Sequence, residues 1–301
     1  HTAMRGLFFQ RQGIVKEIEP GLNYPRSHHP DDKKWYYDPD FTFWKNSNHG
    51  LPGFSYTRQV TNIWGYYFDA GDWDGYPSHL VVPLGLMTLY DLRPDRFADG
   101  DVGNRYKLAA TDPAWIDEGS DGLPDVLNEA VWLIAYCRRA RQQLMAQGYG
   151  SGGVPDYTGR DAGADHPSWT DTRAWALTAE SPDATYMYAG GAAYYACMLD
   201  ECHNRTHPGQ RHPDSPAWQA EAEAAYAWAA AYIATNPADN TAEIERAKAV
   251  ACAALYRLTT NAAHQAAMRA IIEADSERNT PVWITPSRTH FAAFIYLLLT
   301  Y

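Results

Sequence analysis

Residues 118–130 of this sequence read EGSDGLPDVLNEA, and they continue directly into a longer apolar stretch. A turn containing glycine and proline ends at Pro124, and proline is well tolerated in the first turn of a helix. The apolar side chains that follow recur at helical spacing: Val126, Leu127, Ala130, Leu133, Ile134, Cys137 and Leu144. The stretch therefore predicts a long amphipathic helix that buries one face.

Seven further segments carry helical signals. Ser-Pro pairs at 181–182 and 215–216 place an N-cap residue before a proline, which is typical of a helix start. Asn240 followed by Glu243 matches a capping box. The predicted helices cover residues 2–12, 80–93, 183–201, 217–235, 241–259, 262–274 and 289–300.

The rest of the chain narrows the fold class. Residues 20–66 show no sustained periodicity, which predicts a long ordered surface segment. Alternating strand and helix patterns are absent, so we do not expect a doubly wound sheet. No repeat of about 20 to 50 residues is readable, which disfavours a regular solenoid. Eight helices with aromatic-rich loops predict an all-α fold of helical hairpins around a ring, in one domain over residues 1–301.

The charge balance excludes several partners. The chain has 25 Lys and Arg against 36 Asp and Glu, a net charge of -11. Such a surface repels nucleic acid, anionic membranes and polyanionic substrates. The longest apolar run, residues 291–299, is too short to span a bilayer. No signal peptide is readable at the start, so we expect a cytoplasmic protein or one already trimmed.

Metal-ligand types occur without a clear metal-site pattern. Residues 28–32 read HHPDD, for which a solvated turn is the favoured interpretation. The cysteines show no zinc spacing, and three of them fall in apolar helical patterns where small buried residues are expected. Their spacing predicts neither a disulfide framework nor the redox compartment: Cys137, Cys197, Cys202 and Cys252.

Aromatic residues make up 14% of the chain, with 11 Trp and 21 Tyr against 9 Phe. Core packing explains many of them. The excess of rings with a polar tip also suits a cleft in which sugars stack on ring faces and bond to polar tips.

The strongest chemical signal is GYYFDAGDWDGY, residues 65–76. Ala70 and Gly71 permit a tight turn that brings Asp69 and Asp72 toward one point. Two such carboxylates can share a water, of which one accepts the proton while the other orients it. A calcium loop and an Asp-rich turn stay open as alternatives at this point.

Together these segments resemble glycoside hydrolase family 9, the endoglucanase family of inverting β-glycosidases. DAGD at 69–72 matches the family's Asp-Ala-Gly-Asp motif, and residues 118–130 resemble its Glu-Ser-Gly-Asn-Gly-Ile-Pro-Asp-Leu-Leu-Asp-Glu-Ala segment. RGLFFQRQG at 5–13 is similar to its opening helix, and AALYRLT at 253–259 to a later helix. The segments stand in the family's order and cover essentially the whole chain.

The resemblance implies an (α/α)6 barrel of six helical hairpins, with Asp72 as the general base and Asp69 holding the same water. It implies a proton-donor Glu after a Pro-His-His-Arg segment, which this sequence lacks. We therefore expect an incomplete ring, truncated at the C-terminus, with about eight of twelve helices and with apolar surface exposed near that end. The rival is a rearranged site in which Glu118 or Glu180 is the acid.

The implied activity is inverting hydrolysis of β-1,4-linked glucan chains or oligosaccharides, by a secreted or periplasmic enzyme. No cofactor is required, the resemblance allows a structural calcium ion that we cannot place, and the oligomeric state stays open. The alternatives are an exo-acting β-glucosidase or β-glucosaminidase of the same family and a non-catalytic carbohydrate-binding protein on the same fold. Many family members carry a Lys-Tyr or Lys-Phe pair just after the second Asp, and its absence here leaves endo or exo attack open.

Eight aromatic or histidine side chains are candidates for sugar contact, and core packing is the alternative for each. They flank the Asp motif or fall in or beside loops that precede helices. The candidates are Tyr67, Trp73, Tyr76, His79, Trp169, Trp175, Trp283 and His290.

Overall fold

A computed structural model of the chain describes residues 2–26, 35–39, 58–67, 77–156, 158–160, 175–276 and 288–298. Eight α-helices lie within these ranges, and each coincides with a predicted one. They are α1 (Thr2–Gln10), α2 (Val81–Leu92), α3 (Asp125–Ala146), α4 (Pro182–Asn204), α5 (Ser215–Thr235), α6 (Ala242–Thr259), α7 (Ala262–Ala274) and α8 (Arg288–Leu297). No helix in these ranges is both long and apolar enough to cross a membrane.

The chain divides into two compact units. Unit 1 comprises His1–His79, Phe97–Ser151 and Pro155–Glu180, and unit 2 comprises Leu80–Arg96, Gly152–Val154 and Ser181–Tyr301. Two short strands, β7 (Val154–Pro155) and β10 (Glu180–Ser181), lie where the chain passes from one unit to the other. That the whole chain forms one catalytic domain stays a prediction.

Unit 1 combines α1 and α3 with two small sheets. One sheet has the order β2-β1-β5-β6 and the other the order β4-β3-β9-β8. The sequence analysis missed these strands because each is two to five residues long and shows no readable alternation. Their bounds are β1 (Val15–Glu19), β2 (Leu22–Tyr24), β3 (Trp35–Tyr37), β4 (Gln59–Val60), β5 (Arg105–Lys107), β6 (Ile116–Asp117), β8 (Thr158–Arg160) and β9 (Trp175–Leu177).

Unit 2 is helical, and α4 lies at its centre against α5 and α6. Small residues make the close approach between α4 and α6 feasible: a Cβ added to Gly190 would lie 2.9 Å from Val250 Cγ1 and 3.1 Å from the backbone nitrogen of Ala251. Near the C-terminal end of the unit, α8 buries Ile295 while Phe294 and Leu297 are 37% and 53% exposed. The larger exposed apolar surface expected near that end stays a prediction.

Two of the three predicted caps differ in detail. Ser181 Oγ caps α4 as predicted, accepting from the amide of Ala184 at 3.2 Å. Ser215 does not cap α5, because its hydroxyl donates to the Ala196 carbonyl and so ties α5 to α4. The cap of α6 is Thr241 instead of Asn240, one residue later than the capping-box pattern predicts.

All four cysteines lie in described helices, and none forms a disulfide. Burial raises the pKa of the Cys137 thiol in unit 1 to about 12. It also raises the pKa of Cys197 to about 12 and that of Cys252 above its ordinary value, both in unit 2. Cys202, near the end of α4, is partly exposed. The expectation of small buried residues in the apolar patterns is confirmed for the other three.

Candidate active site

The Asp motif itself lies outside the described residues. The undescribed ranges 68–76, 161–174 and 277–287 contain Asp69, Asp72, Trp73, Tyr76, Trp169 and Trp283. Convergence of the two carboxylates therefore stays a prediction. The structure does describe the residues that lead into the motif and several of the contacts that hold them.

The main chain just before the motif is fixed to the end of α1. Tyr67 forms an isolated antiparallel β-bridge with Arg11. The amide of Gln12 donates to the carbonyl of Tyr66 at 2.8 Å, and Gln12 Nε2 donates to the carbonyl of Tyr67 at 2.9 Å. Both carbonyls that precede Phe68 are thus bonded to one residue, which sets the position from which the Asp motif begins.

The side chain of Tyr67 is anchored to α3. Its hydroxyl lies 2.5 Å from Glu129 Oε1 and 2.9 Å from the Glu129 carbonyl. Glu129 is the penultimate residue of the stretch 118–130, and its side chain is fully buried. Because Tyr67 is itself only 7% exposed, the structure assigns it to positioning this segment. Sugar contact by Tyr67 stays a prediction.

A buried arginine, Arg11, joins the end of α1 to the stretch 118–130. Arg11 Nη1 donates to Glu118 Oε1 at 2.7 Å, while Nη2 and Nε donate to the two carboxylate oxygens of Glu129 at 2.9 and 3.3 Å. The guanidinium lies 4.6 Å from the ring centroid of Trp132, close enough for a cation–π contact. Two of the four segments that carry the family resemblance, residues 5–13 and 118–130, therefore meet at one guanidinium.

Pairing between opposite charges stabilises this cluster of buried ionisable side chains. Burial by itself disfavours the charged guanidinium, but Glu118 and Glu129 outweigh it and hold the pKa of Arg11 well above its ordinary value. Burial raises the pKa of Glu118 even though Arg11 opposes the shift. Burial, followed by the charge of Glu129, raises the pKa of the Tyr67 hydroxyl, which keeps it a proton donor to that carboxylate.

A second cation lies beside this cluster. Lys16 on β1 is fully buried, and its ammonium donates to the carbonyls of Arg11 at 2.5 Å and Phe9 at 2.8 Å. Burial, with a further contribution from the charge of Arg11, lowers the pKa of Lys16 to about 7. Lys16 thus caps the C-terminal end of α1, next to which Arg11 and Gln12 bond to Tyr66 and Tyr67.

The carboxylate of Asp125 holds the start of α3, within the stretch 118–130, in place. Asp125 Oδ2 accepts from the amides of Val102 at 2.5 Å and Gly103 at 2.9 Å, and its Oδ1 accepts from Gly100 at 2.9 Å. Gly122 has a φ of +85°, a left-handed conformation that glycine adopts at little cost. These bonds fix the entry into α3 and hence the position of Glu129 one turn further on.

Two further candidates belong to one aromatic cluster in unit 1. The His79 ring lies 6.0 Å from that of Tyr66, which makes an edge contact with Tyr136 at 4.7 Å. Beyond Tyr136, Trp35 contacts Trp175 at 4.7 Å. Trp175 is 0% exposed, so the role that the structure shows for it is core packing.

His79 is partly exposed, whereas His290 on α8 in unit 2 is 8% exposed. Of the described candidates, His79 therefore has the ring most open to solvent. For all of them sugar contact stays a prediction.

Sequence reasoning missed the roles of Arg11, Lys16 and Glu129. The available signal was a charged residue inside an apolar pattern, such as Arg11 directly after LFFQ and Glu129 between Leu127 and Ala130. A buried charge is paired because an unpaired one is costly, so these positions call for partners. The partners are 118 positions apart and could not be paired from the sequence.

Among the described residues, no three His, Cys, Asp or Glu side chains are grouped so as to hold a metal ion. The calcium ion that the resemblance allows therefore remains unplaced, and the residues 28–32 lie outside the described ranges.

Comparison with known proteins shows the fold. No protein-family model matches the chain, and a search of curated proteins gives no significant match. Solved structures do match. A metagenome-derived glycoside hydrolase family 9 endoglucanase superposes with a TM-score of 0.65 at 21% identity, over 98% of this chain and 48% of that one. A glycoside hydrolase family 9 protein of Bacteroides ovatus gives 0.69 at 18% identity, over 98% and 51%.

A third structure, AaCel9A in complex with cellobiose-like isofagomine, gives a TM-score of 0.61 at 16% identity, over 98% of this chain and 50% of that one. This chain therefore spans about half the length of these proteins. The fold is similar to that of the family 9 enzymes. The predicted fold class, a helical (α/α)6 barrel present in part, is confirmed, with short strands added in unit 1.

Proposed function

We propose that this chain carries the general-base side of an inverting β-glycosidase that acts on β-1,4-linked glucan chains or oligosaccharides. Asp72 takes the proton of the attacking water, and Asp69 orients that water. The observation that carries the proposal is the clamp on Tyr66 and Tyr67 by Gln12 and Glu129, which ends two residues before Asp69. Its support comes from the likeness of the fold to family 9 enzymes.

A fixed main chain just before the Asp pair suits a general base, which has to be positioned accurately. A general base must lie within hydrogen-bond reach of the water it deprotonates, and small displacements cost large factors in rate. A buried arginine and two buried carboxylates form the cluster that anchors Tyr67, two residues before the first Asp of the pair. A mere Asp-rich surface turn does not need such an anchor.

Inversion proceeds in a single displacement. The base removes a proton from water as its oxygen attacks the anomeric carbon, and a carboxylic acid roughly 6.5–9.5 Å away protonates the departing glycosidic oxygen. Among the rivals for that acid, Glu118 is buried against Arg11, with its side chain 9% exposed. Glu180 accepts from Ser151 Oγ at 2.6 Å and from the Ser151 amide. Neither arrangement favours donation to a sugar, so we propose a different Glu as the acid.

Substrate binding is proposed at the aromatic side chains around the Asp pair, above all Trp73 and Tyr76, with His79 at the partly exposed edge of the Tyr66 cluster. Sugar rings stack on such faces while polar tips bond hydroxyl groups. The structural relative AaCel9A binds a cellobiose-like isofagomine, which fits the proposed substrate class. We also propose a secreted or periplasmic location and a reaction that needs no cofactor.

The test compares hydrolysis with binding. Reducing-sugar release and calorimetric binding are measured with β-1,4-gluco-oligosaccharides for the intact enzyme and for its Asp72→Asn variant. Residues 1–301 alone are measured beside them and should not hydrolyse, because no Glu among them matches the family's acid. Loss of a general base costs roughly a hundredfold or more in kcat, whereas the near-isosteric amide leaves oligosaccharide affinity almost unchanged. If Asp72→Asn keeps more than about a tenth of the turnover, Asp72 is not the base.

Tyr67→Phe tests the clamp. It removes the hydroxyl bond to Glu129 but leaves both backbone bonds to Gln12, so kcat should fall while KM changes little. Binding without hydrolysis by the unsubstituted intact enzyme would instead favour a carbohydrate-binding protein, and product lengths separate endo from exo attack.

A further inference from the structure

The C-terminal end of α4 carries two histidines one helical turn apart. His203 lies in the last turn of the helix and His207 follows four residues later, still bonded to it through the His207 amide and the His203 carbonyl at 2.8 Å. The two imidazole rings are stacked, with centroids 4.2 Å apart and planes inclined by 6°. Side chains spaced by four residues on a helical turn lie on one face, so both rings can serve one ligand.

Thr206 sets the tautomer of His207. Its hydroxyl donates to the carbonyl of His203 at 3.2 Å. A hydroxyl has one proton, so the contact of 2.9 Å between Thr206 Oγ1 and His207 Nδ1 requires the imidazole to donate. Neutral His207 therefore carries its proton on Nδ1, and Nε2 keeps its lone pair. A hydrogen bond from the second ring nitrogen is the usual way in which proteins prepare a histidine for metal binding.

The surroundings favour a bound cation. The last carbonyls of a helix carry partial negative charge, which attracts cations. The carboxylate of Asp200 lies on the same turn, where it accepts from the amide of His212 and from Arg211 Nε.

A third imidazole stands nearby in a different role. The His212 ring lies 5.5 Å from that of His203 at an angle of 85°. Its Nδ1 accepts from the amide of Asp214 at 3.1 Å, so the proton of the neutral ring is on Nε2. His212 thus packs against the pair without presenting a second lone pair to it.

We infer that His203 and His207 form a binding site for a divalent late transition-metal ion, such as Zn²⁺, Ni²⁺ or Cu²⁺. Imidazole nitrogen is a preferred ligand of these ions. With the His207 ring held by Thr206, a rotation of the His203 ring about χ2 brings its Nε2 toward the same ion, at about 2.0–2.1 Å from each ligand, and solvent completes the coordination. No three ligand side chains converge within the described residues, so this is a two-imidazole site. It is independent of the proposed hydrolysis.

The experiment measures Zn²⁺ binding to the tag-free chain by isothermal titration calorimetry near neutral pH. His203→Gln and His207→Gln should each weaken the site at least tenfold, and the double variant should bind one zinc equivalent fewer. Thr206→Val should weaken it about tenfold, because it releases the tautomer while leaving both ligands in place.

The matched control is His264→Gln. His264 is also a partly buried helical histidine with an aromatic neighbour, Tyr226, but has no histidine four residues away. Its substitution should leave the zinc isotherm unchanged, and circular dichroism confirms that each variant folds. Zinc binding that is the same in the chain and in the His203/His207 double variant overturns the inference, as does an equal loss in His264→Gln.

Discussion

Arg11→Met tests the buried cluster of Arg11, Glu118 and Glu129, which anchors Tyr67 just before the Asp motif. The substitution keeps an apolar side chain of similar length but leaves Glu118 and Glu129 buried without their cation. Removing one partner of a buried ion pair costs about 3–5 kcal/mol, because the remaining charge is uncompensated. Here the side chains of Arg11 and Glu129 are both 0% exposed, which places the expected loss within that range.

The two carboxylates should not be equivalent. Glu129 receives two arginine nitrogens and the Tyr67 hydroxyl, so Glu129→Gln weakens three bonds and should cost about 2 kcal/mol, since one hydrogen bond to a charged group contributes about 1.5–3 kcal/mol. Glu118 has one bond to Arg11, while its Oε2 is buried with no partner. Glu118→Gln keeps an acceptor and removes a poorly solvated charge, so it should cost less than about 1 kcal/mol near neutral pH.

The pH dependence of Glu118→Gln follows from the raised pKa of Glu118. In the wild-type chain the folded state binds this proton more readily than the unfolded state does. The resulting stability is fully present below the ordinary carboxyl pKa and is lost as pH rises through the raised value. Glutamine does not titrate, so the variant should be at its greatest disadvantage in acid and should approach the wild type near neutral pH.

Urea unfolding near neutral pH, followed by circular dichroism, gives the overall order of the three variants. Hydrogen exchange of the α3 amides then reports on unit 1 by itself, since the chain has two units that need not unfold together. The expected order of destabilisation is Arg11→Met, then Glu129→Gln, then Glu118→Gln. A loss below about 1 kcal/mol for Arg11→Met, or equal losses for the two Glu variants, would refute the reasoning.

The buried Lys16 and two helical glycines give the remaining predictions on stability. Because burial lowers the folded-state pKa of Lys16 to about 7, wild-type stability should rise with pH from about 7 toward the ordinary lysine value, by up to about 1.4 kcal/mol per pH unit from this group. Lys16→Met should flatten that rise in urea unfolding, whereas Lys248→Met, at a partly exposed site, should preserve it. Gly190→Ala should lose about 1–3 kcal/mol because its Cβ meets the backbone of α6, while Gly85→Ala, whose Cβ meets nothing within 4 Å, should gain about 0.5–1 kcal/mol. Thermal melts that shift both glycine variants in the same direction would contradict the packing argument.

The helices could be predicted because each carries its own signal. The apolar spacing from Val126 to Leu144 and the Ser181 cap are local, and the structure places α3 and α4 where these patterns do. The strands could not be predicted. β3 and β9 pair Trp35 with Trp175 at a sequence separation of 140 positions, and each is three residues long. Their stability comes from burial in a distant context that local propensity does not contain.

The candidate site likewise has a part that the sequence predicts and a part that it does not. The Asp motif is a contiguous string, so sequence alone could single out Asp69 and Asp72. The clamp just before the motif in the chain joins Arg11, Tyr67 and Glu129, whose sequence separations reach 118 positions. A sequence shows that a buried charge needs a partner, but only the fold shows which residue supplies it.

The alkylation rates of the buried cysteines report how often the structure around each of them opens. A thiol reacts as the thiolate, and burial suppresses both its exposure and its ionisation, so Cys137, Cys197 and Cys252 should be alkylated almost exclusively through opened states. Cys137 belongs to unit 1 and the other two to unit 2. Mass-resolved alkylation rates at the three positions would therefore time the opening of each unit separately, with no reporter group introduced.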